Sequence, residues 1–108
     1  MSNANGDSVM TDDGLQRLAQ EIRSEHANHI SGLDEWKQHS RYVTKGGLRE
    51  SYSRLRGLIC GHMLASGWVI PSGIELALAV NTYAVTEFQI NLPELYPRNV
   101  GLFRRRRP

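Results

Sequence analysis

The amino-acid sequence predicts an α+β fold, with three N-terminal helices, a small antiparallel β-meander and flexible N- and C-terminal tails. Apolar residues recur every three or four positions as far as Ala65, which is the spacing of helices that bury one face. From Ile74 to Leu92 they fall on alternate positions, which is the spacing of strands. The chain of 108 residues fits a single domain. We place that domain at 11–97, between a disordered segment at 1–10 and a basic tail at 98–108.

The first helix is predicted to begin at Thr11, because a threonine oxygen can accept a hydrogen bond from a free backbone N–H group. The negative charges of Asp12 and Asp13 also suit a helix N-terminus. Ser31-Gly32 is predicted to end this helix and to cap a short second one, from Leu33 to His39. The positions that follow the helical spacing in the first helix are Leu15, Leu18, Ala19, Ile22, His26, His29 and Ile30.

The third helix is predicted to follow Thr44 and to run to about Ala65. Its apolar face recurs at alternate spacings of four and three residues, which match the helical period. The positions on that face are Leu48, Tyr52, Leu55, Ile59, His62 and Ser66.

The meander is predicted to begin after Gly67. Pro71-Ser72-Gly73 lies between two isoleucines and is typical of a tight hairpin turn. The strands are then expected at 68–70, 74–80 and 84–92. The residues expected to face the helices are Ile74, Leu76, Leu78, Val80, Phe88 and Ile90.

A second interpretation of the same region stays open. Ser72-Gly73-Ile74-Glu75 also matches a capping box, in which a serine and a glutamate cap the first turn of a helix. The residues that follow it include good helix formers, alanine and leucine. This alternative predicts a fourth helix from Gly73 to Val80 in place of a strand.

Composition excludes several classes of protein. The apolar fraction of 40% and the charged fraction of 22% are ordinary for a globular protein and unlike a disordered one. The longest weakly polar run, from Gly57 to Ile70, is too short for a bilayer, which needs about 20 apolar residues. No secretory signal is visible at the N-terminus. Cys60 is the only cysteine, which fits a reducing compartment, and we expect the cytoplasm or a host-cell cytoplasm.

No motif in the sequence indicates catalysis. His26 and His29 are spaced as a possible metal pair, but no further ligands are apparent, and we interpret both as the border of an apolar helix face. Cys60 lies within an apolar run, and we interpret it as a core residue. We therefore expect a non-catalytic protein without a metal or another cofactor.

Basic residues form the clearest candidate site. Residues 1–35 carry seven acidic and two basic side chains, whereas residues 36–56 carry one acidic and six basic ones. Such an asymmetry points to a polyanionic partner, either nucleic acid or an acidic protein surface. The alternative is that these basic side chains form a solvent-exposed face and pair with the acidic side chains of the first helix. The candidate residues are Lys45, Arg49, Arg54 and Arg56 on the third helix and Arg104, Arg105, Arg106 and Arg107 in the tail.

Small residues at every fourth position of the third helix predict self-association, because such a ridge lets another backbone approach closely. The residues of this ridge are Ser53, Gly57, Gly61 and Ala65. The alternative is that the ridge packs inside the molecule. The ridge and the exposed edges of the expected sheet lead us to expect a homodimer.

Two functional hypotheses follow from these features. In the first, the chain is a small nucleic-acid-binding accessory protein that binds DNA or RNA through the basic residues. In the second, it is a protein-binding inhibitor, regulatory or assembly factor. Its small size and lack of enzyme motifs suggest a viral, phage or plasmid origin.

Overall fold

The computed structural model describes residues 11–38, 43–69 and 73–98, and this part of the chain is built from helices. Helix α1 spans Asp12–Gln38, α2 spans Lys45–Ala65, α3 spans Ile74–Phe88 and the short α4 spans Leu92–Leu95. No strand occurs within these ranges. The predicted α+β class with its β-meander is therefore wrong. The predicted N-terminal segment, Pro71 and Ser72 of the predicted turn, and Arg104 to Arg107 lie outside the described residues.

Helix α1 begins where the sequence predicted but does not end there. Thr11 Oγ1 accepts a hydrogen bond from the backbone N–H of Gly14 at 3.3 Å, as a capping side chain does. The predicted break at Ser31-Gly32 is wrong, because α1 continues to Gln38. Gly32 has a packing role instead, since a Cβ placed on it would lie 3.2 Å from Cδ2 of Leu48. Its missing side chain lets α2 approach α1 closely.

Helix α2 confirms the prediction for the third helix. Thr44 is its N-cap and accepts a hydrogen bond from the N–H of Gly47 at 3.0 Å. The helix runs antiparallel to α1, since Glu25 contacts Arg54, His29 contacts Ser51 and Gly32 approaches Leu48. Three of its four buried residues, Leu48, Leu55 and Ile59, belong to the predicted apolar face, and the fourth is Met63. The other members of the predicted face, Tyr52, His62 and Ser66, are half-buried.

Helix α3 replaces the predicted strands. The alternation of apolar residues led to a wrong prediction of strands, because several of the positions between them are apolar as well. These positions include Ala77, Ala79 and Val85. A segment that is apolar at both odd and even positions also fits a helix, and its alanines and leucines favour one. The capping-box alternative had the right element type, although α3 extends eight residues beyond Val80. Gly73 is the N-cap, with φ 64°, and Ser72, the serine of the capping box, lies outside the described residues.

The core lies between the helices and includes the segment that follows α3. Two of the residues predicted to face the core, Ile74 and Leu78, are exposed, whereas Leu76 and Phe88 are half-buried. Val80 and Ile90 are buried as predicted. The buried apolar residues are Ile22, Leu33, Leu48, Leu55, Ile59, Met63, Val80, Tyr83, Ala84, Ile90, Leu92 and Leu95.

Candidate functional site

Large apolar side chains are exposed along α3 and in the segment that follows α2. Helix α3 packs on α2 through its middle, where Asn81 contacts Arg56 and Tyr83 contacts His62. A helix that is apolar on most sides is usually buried on most sides, so the solvent exposure of apolar residues on α3 is unusual. The exposed residues, which we call the open apolar face, are Trp68 (59% exposed), Val69 (88%), Ile74 (82%), Leu78 (61%) and Val85 (51%).

A groove of about 340 Å³ opens at this face. Met63 and Tyr83 are buried and form its floor, whereas Trp68 and Leu78 are exposed and form its rim. Glu87 is the one charged residue that lines it. The groove is thus apolar with a single carboxylate, and it can accept an apolar side chain of a partner.

Three polar side chains hold α2 and α3 together beside the groove. Nδ1 of His62 lies 2.7 Å from the hydroxyl oxygen of Tyr83, which in turn lies 3.1 Å from Oγ of Ser66. The Ser66 hydroxyl donates to the backbone carbonyl oxygen of His62 at 2.8 Å. Phe88 contacts the His62 ring edge-on, with 5.0 Å between the ring centroids. These contacts fix Tyr83 and therefore the floor of the groove.

Burial keeps the groups of this cluster uncharged near neutral pH. Desolvation lowers the pKa of His62, with Arg23 acting in the same direction and Glu87 opposing it. Desolvation likewise raises the pKa of Tyr83; the hydrogen bond between Tyr83 and Ser66 opposes the shift and Glu87 adds to it. The contact between His62 and Tyr83 thus joins α2 to α3 beside the groove.

A second histidine has the neighbours of a catalytic base but not its access to solvent. Nδ1 of His29 lies 2.6 Å from Ser51 Oγ, and its Nε2 lies 2.7 Å from the carbonyl oxygen of Leu95. A carbonyl oxygen only accepts, so Nε2 donates to Leu95, whereas the Ser51 hydroxyl can donate to Nδ1 or accept from it. His29 is only 1% exposed, and a base so deeply buried cannot exchange protons with a substrate. This arrangement ties α1, α2 and α4 together.

The basic residues predicted as a nucleic-acid site are not all on one surface. Arg54 donates to Glu25 of α1 at 2.9 Å, in the one ion pair found within the described ranges. Arg56 is half-buried and donates to Asn81 of α3 at 3.3 Å. Arg49 is exposed, and Lys45 is half-buried on the same side of α2. Pairing with the acidic first helix therefore accounts for Arg54 but not for Arg49.

The predicted ridge of small residues lies on the outside of α2. A Cβ placed on Gly57 or Gly61 meets no described atom within 4 Å, so the ridge does not pack inside this part of the molecule at those positions. Ser53 is exposed and Ala65 is half-buried. Among the described residues, no group of three or more metal-ligating side chains is found near His26 or elsewhere.

Sequence reasoning missed the open apolar face because it placed all five residues in strands and predicted that Ile74 and Leu78 face the helices. The signal was present in α3, where apolar residues occupy both odd and even positions. Comparison with protein-family models, with curated proteins and with solved structures finds no match to this chain. None of the helices in the described ranges has the length and apolar character needed to cross a membrane.

Proposed function

We propose that this chain is a small non-catalytic protein-binding accessory factor, regulatory or assembly-related, that contacts its partner through the open apolar face. The observation that supports this proposal is the exposure of Trp68 and Leu78 on either side of an apolar groove. Contiguous exposed apolar surface commonly marks a protein interaction site. The single cysteine supports a reducing compartment, and we propose the cytoplasm as the place of this activity.

Trp68 is the side chain expected to contribute most to binding. Across many complexes, tryptophan is enriched among the residues whose removal weakens binding by about 2 kcal/mol or more. Its ring already contacts Tyr83, with 6.0 Å between the ring centroids, so it is held partly in place before a partner arrives. A side chain that is held in advance loses less conformational entropy on binding.

The test is copurification from the native cell, with and without nuclease, followed by identification of the bound proteins. Trp68→Ala and Leu78→Ser should each remove the partner, and nuclease should leave it in place. Arg49→Ala is the matched control, because Arg49 is exposed on α2 and lies outside the groove. A bound protein that is retained by both groove variants would contradict the proposal.

A second candidate function is binding of a polyanion, DNA or RNA, and the observation that favours it is the position of Arg49. Lys45, Arg49 and Arg56 fall within an arc of about 40° on α2, at 100° per residue. No acidic side chain within the described ranges lies within salt-bridge distance of Arg49. The proposed contacts with the phosphate backbone also include the tail arginines, Arg104 to Arg107.

The polyanion function is tested by fluorescence anisotropy with mixed DNA and RNA at two salt concentrations. Each lost phosphate contact should lower the salt slope by up to about one unit. Arg49→Ala should have this effect and Arg54→Ala should not, because Arg54 already pairs with Glu25. Removal of Arg104 to Arg107 should have the largest effect. No measurable affinity at low salt would exclude this function.

A further inference from the structure

The exposed side of α3 forms a continuous uncharged stripe. Ile74, Leu78, Thr82 and Val85 are all exposed and follow one another at spacings of four, four and three residues. They fall within an arc of about 80° and extend over roughly 16 Å of helix. Apolar residues at these spacings form the contact surface of a helix that packs against another helix. The stripe therefore fits a helix as its partner.

The open apolar face is large enough for a stable interface. Its five side chains expose on the order of 600 Å², against the roughly 800 Å² that each partner buries in a standard interface. Thr82 and the other exposed atoms around the stripe add to this area. One copy of the chain thus presents nearly the whole apolar surface that one side of a stable dimer needs.

The charges on α3 determine which direction of pairing is favourable. Glu75 and Glu87 are its only charged residues; Glu75 is exposed next to Ile74, and Glu87 lines the groove beside the stripe and acts on His62. A parallel pair of α3 helices would place the two Glu75 carboxylates side by side. In an antiparallel pair with Ile74 opposite Val85, they would lie about 14 Å apart along the axis.

We propose that a second copy of the chain docks on the open apolar face, with the two α3 helices antiparallel about a twofold axis. Ile74 then packs against Val85 of the second copy, and Leu78 packs against Thr82. A twofold contact uses the same patch on both copies, and the four residues of the stripe are uncharged, so none of them brings a charge into the contact. The inference rests on the proposed function, because it names the partner that this face binds.

The first test is the mass of the full chain in solution, measured by sedimentation velocity from 1 to 200 µM. The wild-type chain should be a dimer, and Leu78→Asp should weaken its association by at least about 100-fold, because the twofold axis buries two carboxylates. Far-ultraviolet circular dichroism should show an unchanged helix content, since Leu78 is exposed. A monomer at every concentration, or a Leu78→Asp chain that stays dimeric, would overturn the inference.

The matched control is Gly61→Leu, which adds bulk to the outward ridge of α2. It should leave the dimer intact, because the proposed contact does not include α2. If Gly61→Leu dissociates the dimer and Leu78→Asp does not, the ridge is the interface and the inference is wrong. A monomeric chain whose copurified partner still depends on Trp68 would leave the proposed function standing and remove this inference alone.

The second test is disulfide cross-linking in a Cys60→Ser background, and it reports the direction of the helices. A chain with both Ile74→Cys and Val85→Cys should form a covalent dimer under mild oxidation, because these positions meet across the axis. Ile74→Cys alone should not. Efficient cross-linking of the single variant would indicate parallel helices and overturn the antiparallel arrangement.

Discussion

The two ends of the α1–α2 pair differ in how completely other parts of the molecule cover their side chains. At the closed end, around His29, α4 and the residues that flank it cover the helices. Both ring nitrogens of His29 have partners there, and Tyr52 contacts Tyr96 edge-on with 5.1 Å between the ring centroids. At the open end, around Trp68, apolar side chains on α3 have solvent on one side. Contacts at the closed end therefore stabilise the fold, whereas the open end has surface left for a partner.

The largest expected effect is that of His29→Ala at the closed end. The substitution leaves a cavity and removes the partner of the buried Leu95 carbonyl, so the free energy of unfolding should fall by about 3 kcal/mol. Urea denaturation followed by circular dichroism measures it. Leu78→Ser at the open end is the comparison, and it should change stability by no more than about 0.5 kcal/mol at a concentration where the chain is monomeric. Equal losses would show that the two ends do not differ in this way.

The closed end and the open end were not equally predictable from the sequence. The start of α1 at Thr11 and the bounds of α2 follow from local capping chemistry and from one apolar face, and both were predicted. Gly32 was misread as a helix end, because its close approach to Leu48 is a contact between residues distant in sequence. Patterns among neighbouring residues in the sequence give little information about such long-range contacts.

Helix α3 shows why the candidate site itself was missed. A helix with one buried face has a clear period, but α3 carries apolar residues on its buried side and on its exposed side. The exposed apolar residues obscure the helical period of the buried ones. The alternation of apolar residues from Ile74 to Leu92 then resembles the pattern of a strand. The feature that obscured the fold is thus the feature that supports the proposed interaction site.

The second largest effect is expected from the glycines on the outward side of α2. Gly61→Ala should stabilise the monomer by about 1 kcal/mol, because alanine favours a helix and no described atom lies within 4 Å of its Cβ position. Thermal and urea unfolding measure the gain. Gly32→Ala is the control, since its Cβ would meet Leu48 at 3.2 Å and part of the gain should be lost. A loss of stability in Gly61→Ala would mean that another part of the chain covers the ridge.

The smallest effect concerns pH, and it compares two partly buried histidines at different places on the fold. Desolvation by burial lowers the pKa of His62 below its ordinary value of 6.5, against the opposing effect of Glu87. Desolvation also lowers the pKa of His26, and the neighbouring His29 adds to the shift. In the unfolded chain both imidazoles take up protons near pH 6.5, whereas in the folded chain they do so only at lower pH.

Stability should therefore be greatest above pH 6.5 and should decline as the pH falls through that value, because the unfolded state then binds more protons. The decline should stop once the pH is below the lowered pKa values of both histidines. Urea unfolding at pH 7.5 and 5.5 and one protein concentration measures the difference. His62→Gln should reduce it, since glutamine keeps a polar contact with Tyr83 but does not titrate, and His62→Gln with His26→Gln should reduce it further. If the double variant keeps the full wild-type difference, other groups cause the pH dependence and burial of these two imidazoles does not.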